Sequence, residues 1–577
     1  MEKKIHRTRL ILVFLFFATL QTALLFRLIY LQCAKSFSLT KIAISQHKVL
    51  IDLEPMRGTI YDRNMFKLAV NHNLDSVFAV PRDIEDKDKK GTARKLAAAL
   101  DMDENFVFRR LLRKKGFVWI KRKISEQESE KIKALKLKGV ELVRESKRFY
   151  PNGHLAAHII GFAGLDNRGL EGIEMVYDKY LRGRPGFRLT ARDGKGRNLP
   201  AGDEKMIVPV NGFNVILNID EAIQNFAEQA LEEAYYKYHA AGATIVVMDP
   251  RTGEILALAN RPTYDLNSFF QAGGALRRNR AVTDFFEPGS VFKIVTASGV
   301  LEKGIVDFQD RFFCENGKFW IAGHTLHDHT SHGMLTFREV IEQSSNIGTV
   351  KVAMKLTRDD LYHYVRGFGF GQLTGVDLPG EVEGITHPPS QWSKTTISAL
   401  PIGQEVTVTA MQLACAISAI ANGGLYVRPW VVRKITDENG EDILAFEPKV
   451  IRRVLSEETA AKVCALLQGV IDRGTGTLAR LESYTAGGKT GTAQKVEPSG
   501  VYSHSRFVGS FIGFAPRKDP RIVVAVCMDE PRPYYYGGVV AAPVFKKVAE
   551  NTLRYLGVES DMQRPKPLTV VMNVQDD

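Results

Sequence analysis

Residues 242–260 read GATIVVMDPRTGEILALAN. Two apolar, β-rich runs are joined by Asp249-Pro250-Arg251-Thr252-Gly253, where proline presets φ and glycine permits a positive one, so the stretch predicts a hairpin. The same arrangement recurs at 506–529, where RFVGSFIGFAP and RIVVAVCMD flank Arg517-Lys518-Asp519-Pro520; it predicts a second hairpin. Between the two lie apolar helix candidates at 290–302 and 407–421, the latter closed by Asn422-Gly423-Gly424 as a helix stop. This order predicts an α+β (mixed α/β) domain over residues 240–557, an antiparallel sheet packed by helices.

Upstream, residues 49–235 mix short β-like runs, SVFAV and GFVWIK, with charged helical stretches such as SEQESEKIKAL. Apolar residues are too few there for a deep core, which predicts a modest, extended pedestal domain. Gly and Pro cluster at 181–186 (LRGRPG) and 198–205 (NLPAGDEK), and the amphipathic run 220–238 reads as a helix leading into the next domain.

At the other end of the pedestal, Leu10 to Phe26 is uncharged for seventeen positions and is fenced by Arg9 and Arg27. About 20 helical residues cross a hydrocarbon core, so a transmembrane helix is expected at 10–31, after a cytoplasmic tail at 1–9. The basic residues before the span, Lys3, Lys4 and Arg7 among them, place the N-terminus inside and the remainder outside. RLIYLQCAKSF offers no A-x-A-like cleavage site, which favours a retained anchor over a cleaved signal peptide. A brief polar tail is expected at 558–577.

The chain has 577 residues, 45% hydrophobic and 25% charged, which excludes a disordered or polytopic protein and implies several cores. The net charge of +13 is spread along the sequence, an argument against nucleic acid as partner. Cys33, Cys314, Cys415, Cys464 and Cys527 form no CxxC pair or disulfide framework. Cys415 and Cys527 fall in apolar runs and read as core residues.

The chemistry is carried by three short motifs. Glu287-Pro288-Gly289-Ser290-Val291-Phe292-Lys293 opens a helix that is apolar nearly all round. Ser290 and Lys293, three apart, share a helix face within hydrogen-bonding range, and a lysine in apolar surroundings can lose its proton and act as base. Alone the motif says little, because S-x-x-K arises about twice by chance in such a chain; Ser38 to Lys41 is a second instance. Ser344-Ser345-Asn346 and then Lys489-Thr490-Gly491-Thr492 follow, and their order changes the reading.

The order S-x-x-K, S-x-N, K-T-G resembles the signature of penicillin-binding proteins and serine β-lactamases. Arg57 to Asn64 (RGTIYDRN) and Gly169 to Glu174 (GLEGIE) look like the non-catalytic motifs of class B penicillin-binding proteins. With the anchor, the resemblance covers nearly the whole chain. SSN at 344–346, the segment IGQEVTVTAMQLA and the lack of a C-terminal repeat module resemble the cell-division (septal) enzymes more than the elongation enzymes.

The resemblance implies a serine D,D-transpeptidase that crosslinks peptidoglycan stem peptides ending in D-Ala-D-Ala and is acylated by β-lactams. Ser290 would be the nucleophile, releasing D-Ala as the acyl-enzyme forms, and Lys293 its base. Ser344 would relay a proton to the leaving amine, and Asn346 would bind substrate and Lys293. Lys489 and Thr490 would bind the terminal carboxylate, and Gly491 would leave the strand face open for substrate. Backbone N–H groups of Ser290 and Thr492 would form the oxyanion hole. No cofactor is implied. A membrane glycosyltransferase and division proteins are the implied partners, and the bacterial cytoplasmic membrane, at the septum, the implied site. The alternatives are a penicillin-binding sensor or scaffold, or a D,D-carboxypeptidase or β-lactamase; a tethered pedestal suits a wall polymer better than a diffusing hydrolase does.

Two further stretches stand out. His324, His327, His329 and His332 lie within nine residues, but their spacing matches no standard zinc site, so no metal is expected. Tyr534-Tyr535-Tyr536-Gly537-Gly538 borders the substrate groove or is a packed aromatic loop.

Overall fold

The computed structural model describes residues 2–36, 48–113, 116–191, 206–497 and 499–562. Ser38 to Lys41, the 198–205 cluster and residues 563–577 of the tail lie outside the described residues. The chain divides into two compact units, each assembled from separate stretches.

The first unit comprises Met1–Met56, Asn73–Ser146 and Gly183–Asn211. It contains the N-terminal helix Glu2–Ile29, which continues as a π-helical turn over Tyr30–Ala34. Arg7–Cys33 is long and apolar enough to cross a membrane, slightly wider than the 10–31 expected, because Arg7, Arg9 and Arg27 can carry their charges to an interface. The rest of the unit has a core in which Val77, Leu96, Leu100, Val107, Leu111, Ile120 and Ile132 pack together. The run read as helical forms a helix over Glu126–Leu135, started by a capping box in which Ser125 and Glu128 satisfy each other's backbone N–H.

The second unit comprises Arg57–His72, Lys147–Arg182 and Gly212–Asp577. Its main sheet has five strands: β1 (Gly242–Met248), β2 (Ile255–Arg261), β3 (Gly487–Val496), β4 (Tyr502–Ala515) and β5 (Ile522–Asp529). Both expected hairpins form, β1 with β2 and β4 with β5, and β1 pairs with β5, giving the order β2-β1-β5-β4-β3, antiparallel throughout. The helices of the unit include α1 (Glu221–Lys237), α2 (Lys293–Glu302), α3 (Asn346–Ala353), α4 (Ala410–Ala421), α5 (Glu457–Asp472) and α6 (Ala542–Tyr555).

Helices on both faces explain why β1 and β2 are buried at every position and show no polar alternation. Ile245 and Val247 face a core shared with Leu231 of α1 and Phe545 of α6. Val246 and Met248 face the opposite core, shared with Val295 of α2 and Met411 of α4. The helix expected at 407–421 starts at Ala410, because Thr409 and Gln412 form a capping box, and it ends at glycines with φ of 60° and 86° at 423 and 424. Cys415 and Cys527 are buried free thiols, as their runs predict.

The two non-catalytic motifs meet in this unit. Arg57 donates to Glu174 at 2.6 Å and to Asp178 at 2.6 Å, while Arg148 donates to the other oxygen of Glu174 at 2.5 Å. Glu174 and Arg57 are fully buried, so this is a desolvated charge cluster whose members satisfy one another. Asp62 accepts N–H bonds from Asn64 and Phe66, closing the turn of RGTIYDRN.

Candidate active site

Ser290 sits in a tight 3₁₀ turn, Gly289–Phe292, that runs directly into α2. The turn is pinned from two sides. Gly289 has φ of 55°, its N–H donates to Gly403 O at 3.2 Å, and a Cβ on it would lie 2.7 Å from Thr492 O. A Cβ on Gly403 would in turn lie 2.1 Å from Gly289 O, so both glycines are needed for this close approach. Glu287, at the start of the turn, accepts from the Glu405 N–H at 2.9 Å and from Tyr502 OH at 3.1 Å; burial and the nearby Glu405 charge push its carboxyl above the usual range. Ser290 itself is half-buried while its neighbours Val291 and Phe292 are fully buried, so the turn that carries it is anchored in the core.

Lys293 is fully buried. Its Nζ donates to Ser344 O at 2.6 Å, to Ser344 Oγ at 3.2 Å and to Asn346 Oδ1 at 2.8 Å. The expected Ser290–Lys293 hydrogen bond is therefore replaced: the amine's three donors are taken by the second motif. The physical reason lies at Ser344, whose φ of 58° turns the backbone so that its carbonyl and hydroxyl both face the amine. Lys489, also fully buried, donates from β3 to the same Ser344 Oγ at 2.9 Å and to Thr490 O at 3.2 Å. The three motifs thus converge on one hydroxyl oxygen.

That convergence shapes the electrostatics. Burial lowers the Lys293 amine to about 7, against an opposing pull from Asp328. Lys489 is pushed well below the usual lysine range, first by burial and then by the charge of Lys293. Two ammonium groups on one hydroxyl repel each other in a low-dielectric site, so deprotonating one relieves the other. A buried lysine close to neutrality is what a general base at physiological pH requires.

The second motif lies at the start of α3. Ser345, which the motif leaves variable, is the N-cap and accepts from Gly348 N–H at 2.9 Å. Asp328 supplies a further cap from outside the helix: its Oδ1 accepts from the N–H groups of Asn346 at 2.5 Å and Ile347 at 3.0 Å, and its Oδ2 from Ser345 Oγ at 2.6 Å. The histidine-rich stretch around it forms a hairpin, Lys318–Ile321 with His324–His327. Among the described residues no group of three His, Cys, Asp or Glu side chains is placed to hold a metal ion.

Lys489, Thr490, Gly491 and Thr492 lie on β3, which among the described residues pairs only with β4 and so forms the edge of the sheet. The Thr490 hydroxyl shares a hydrogen bond with Thr475 at 2.7 Å, and Thr492 Oγ1 accepts from Gly537 N–H at 3.2 Å. Gly491 departs from its expected purpose. A Cβ there would meet Ser510 Oγ at 2.3 Å, Val291 Cγ2 at 2.7 Å and Pro288 O at 2.9 Å. The missing side chain lets the edge strand press against the Ser290 turn; it does not clear room for substrate. The tyrosine loop reaches the same strand, since a Cβ on Gly537 would lie 2.2 Å from Gly491 O, and the Tyr536 ring lies 5.0 Å from His329.

Sequence reading therefore found the three motifs and missed their supports: Asp328, Thr475, Gly403 and Ser345. Asp328 lies between His327 and His329, and no spacing rule ties it to residues 345–347. Thr475 carries no sequence signal beyond residue type, and Gly403 falls within IGQEVTVTAMQLA with no spacing that ties it to the Ser290 turn.

Comparison with known proteins agrees with this geometry. Residues 243–550 match the family described as penicillin binding protein transpeptidase domain, and residues 52–217 match the penicillin-binding protein dimerisation domain. Stage V sporulation protein D of Bacillus subtilis is 37% identical over 561 residues, 96% of this chain and 86% of that protein. Peptidoglycan D,D-transpeptidase FtsI of Escherichia coli K12 is 32% identical over 545 residues, 93% of this chain and 90% of that one. The crystal structure of penicillin binding protein 3 from Mycobacterium tuberculosis complexed with aztreonam superposes with a TM-score of 0.70 at 30% identity, covering 89% of this chain and 98% of that one. The protein belongs to the class B penicillin-binding proteins, with a dimerisation domain followed by a transpeptidase domain.

Proposed function

We propose that the protein is a serine-type peptidoglycan D,D-transpeptidase. The observation that carries the proposal is the meeting of Lys293 and Lys489 on Ser344 Oγ, with Ser290 half-buried one helical turn from Lys293. Lys293, near neutral pH and partly deprotonated, takes the Ser290 proton as Oγ attacks the penultimate D-Ala carbonyl of a stem peptide. Because Ser344 Oγ accepts from both lysines, its own proton is free to pass to the leaving D-Ala amine. The terminal carboxylate docks at Lys489 and Thr490; a negative charge arriving there favours the protonated form of Lys489. The peptide backbone extends along the open edge of β3, adding a strand to the sheet. The Ser290 and Thr492 N–H groups stabilise the oxyanion, a contribution of about 3 kcal/mol or more per donor. An amine of a second stem peptide then displaces the acyl group, and β-lactams stop the cycle by acylating Ser290.

The same proposal takes residues 49–235 as the pedestal, residues 240–557 as the transpeptidase domain and the N-terminal helix as an anchor with the catalytic domain outside the cytoplasmic membrane. Class B enzymes have no polymerising glycosyltransferase domain of their own, so the proposal takes a membrane glycosyltransferase and division proteins as partners, at the septum. The similarity to a sporulation protein supports a second location, wall made during sporulation.

The test is incubation of the full-length protein in detergent with nascent, uncrosslinked glycan-peptide polymer and an active polymerase. Crosslinked peptide dimers that vanish in Ser290→Ala support the proposal. Free D-Ala without dimers identifies a hydrolase, and neither product identifies a scaffold.

A further inference from the structure

The second motif is held in place by a charged side chain that belongs to none of the motifs. Asp328 follows the hairpin strand His324–His327 and reaches the start of α3. Its two oxygens take the Asn346 and Ile347 N–H groups and the Ser345 hydroxyl. The preceding carbonyl, His327 O, accepts from Asn346 Nδ2 at 2.9 Å. Adjacent hairpin residues thus hold both the backbone N–H and the amide nitrogen of Asn346, so Asn346 Oδ1 must point at Lys293 Nζ, where it accepts at 2.8 Å. Rotating that amide would break a bond at each end.

Asp328 also contributes charge. Among the described residues, the charged groups around the Lys293 amine are Asp328 from the hairpin, which favours its ammonium form, and Lys489 from β3, which shares Ser344 Oγ with it. From α3 and the turn before it the facing groups, Asn346 and Ser344, are neutral. Lys351, further along α3, is engaged with Glu315 at 2.5 Å, and the buried thiol of Cys314 meets only Ser345 Oγ and backbone. Among the described residues, Asp328 is therefore the charge that offsets burial at this amine.

We propose that Asp328 is a positioning residue of the acylation reaction: its carboxylate locks the Ser344–Asn346 turn against Lys293, and its charge governs how readily Lys293 gives up its proton. This rests on the reading of Ser290 as nucleophile and Lys293 as base.

The experiment uses the full-length protein and its Asp328→Asn variant, with the rate of acylation by a fluorescent penicillin followed across neutral pH. Asparagine keeps an acceptor for the two N–H groups, removes the charge and exchanges the acceptor facing the Ser345 hydroxyl for a donor, to which Ser345 Oγ can turn a lone pair. Without that charge the ammonium form of Lys293 is less stable, so the acid limb of the rate profile moves to lower pH. A shift of about half a unit gives the variant roughly a threefold larger fraction of its own plateau rate below the wild-type limb. An unmoved limb, whatever happens to the plateau, overturns the proposal and leaves Asp328 as an ordinary helix cap. Should Asp328→Asn fail to fold, Asp328→Glu carries the test: charge retained at altered reach predicts a lowered plateau with the limb in place, and a limb displaced downward contradicts it. A wild-type enzyme with no label on Ser290, or with no acid limb, removes the underlying reading, a result distinguishable from an unmoved limb in the variant.

Discussion

The Nζ of Lys489 lies 2.9 Å from Ser344 Oγ, on the same oxygen that receives Lys293 at 3.2 Å. A hydroxyl held between two buried amines is poised as a proton relay, because both of its lone pairs are occupied and its hydrogen is not. Removing it should leave Ser290 and Lys293 present but uncoupled from the leaving group. Ser344→Ala is expected to slow penicillin acylation by about a hundredfold or more, within the usual range for a positioned acid–base group. Stopped-flow labelling checks this, and a variant acylated at the wild-type rate would show that the relay runs elsewhere.

Acylation should depend on pH through Lys293. Its amine is lowered to about 7 by burial, and the deprotonated form is the base. The rate of acylation is therefore expected to rise as pH increases through about 7 and to level above it. For stability the sign is opposite to that of an ion pair: the unfolded chain holds this proton up to the ordinary lysine range, so below that range the depressed amine disfavours the folded state, more so as pH falls towards 7. A pH–rate profile against thermal unfolding across the same range measures both.

Gly491→Ala tests the close approach of β3 to the nucleophile turn. Ser510 Oγ can rotate away from a new methyl group, but Pro288 O, at 2.9 Å, is backbone. The overpacking should cost about 1–3 kcal/mol, seen as a lower unfolding temperature, and acylation should fall because the displaced segment carries Ser290. Unchanged stability and rate would mean the strand is free to shift.

Glu174 joins Arg57 and Arg148 where all three side chains are essentially inaccessible to water. Glu174→Ala leaves two buried guanidinium groups facing each other and should destabilise the second unit by about 3–5 kcal/mol. Thermal denaturation of the full-length protein checks the magnitude; a loss under about 1 kcal/mol would mean the cluster is hydrated in solution.

How much of this could be read beforehand follows from range. The β1–β2 and β4–β5 hairpins are local, written in Pro/Gly turns between apolar runs, and both form. That β1 would pair with β5, nearly 300 positions away, is not encoded in any local pattern. The same division runs through the site. Ser290, Lys293, Ser344, Asn346, Lys489 and Thr490 lie in short motifs and could be named. The Lys293 bonds to Ser344 depend on one residue with positive φ, and the Asp328 cap on a hairpin folding back over a helix start. Gly491 shows the limit most plainly: a glycine in a strand announces a close approach, but only the fold reveals that the neighbour is the nucleophile's own turn.

The central claim is that Ser290 becomes the acyl-enzyme. The full-length protein, treated with a penicillin, digested and sequenced by mass spectrometry, is expected to carry one intact-drug adduct, on the peptide containing Ser290 and on that hydroxyl, absent after heat denaturation before labelling. An adduct on any other residue, or none while the protein remains folded, contradicts it.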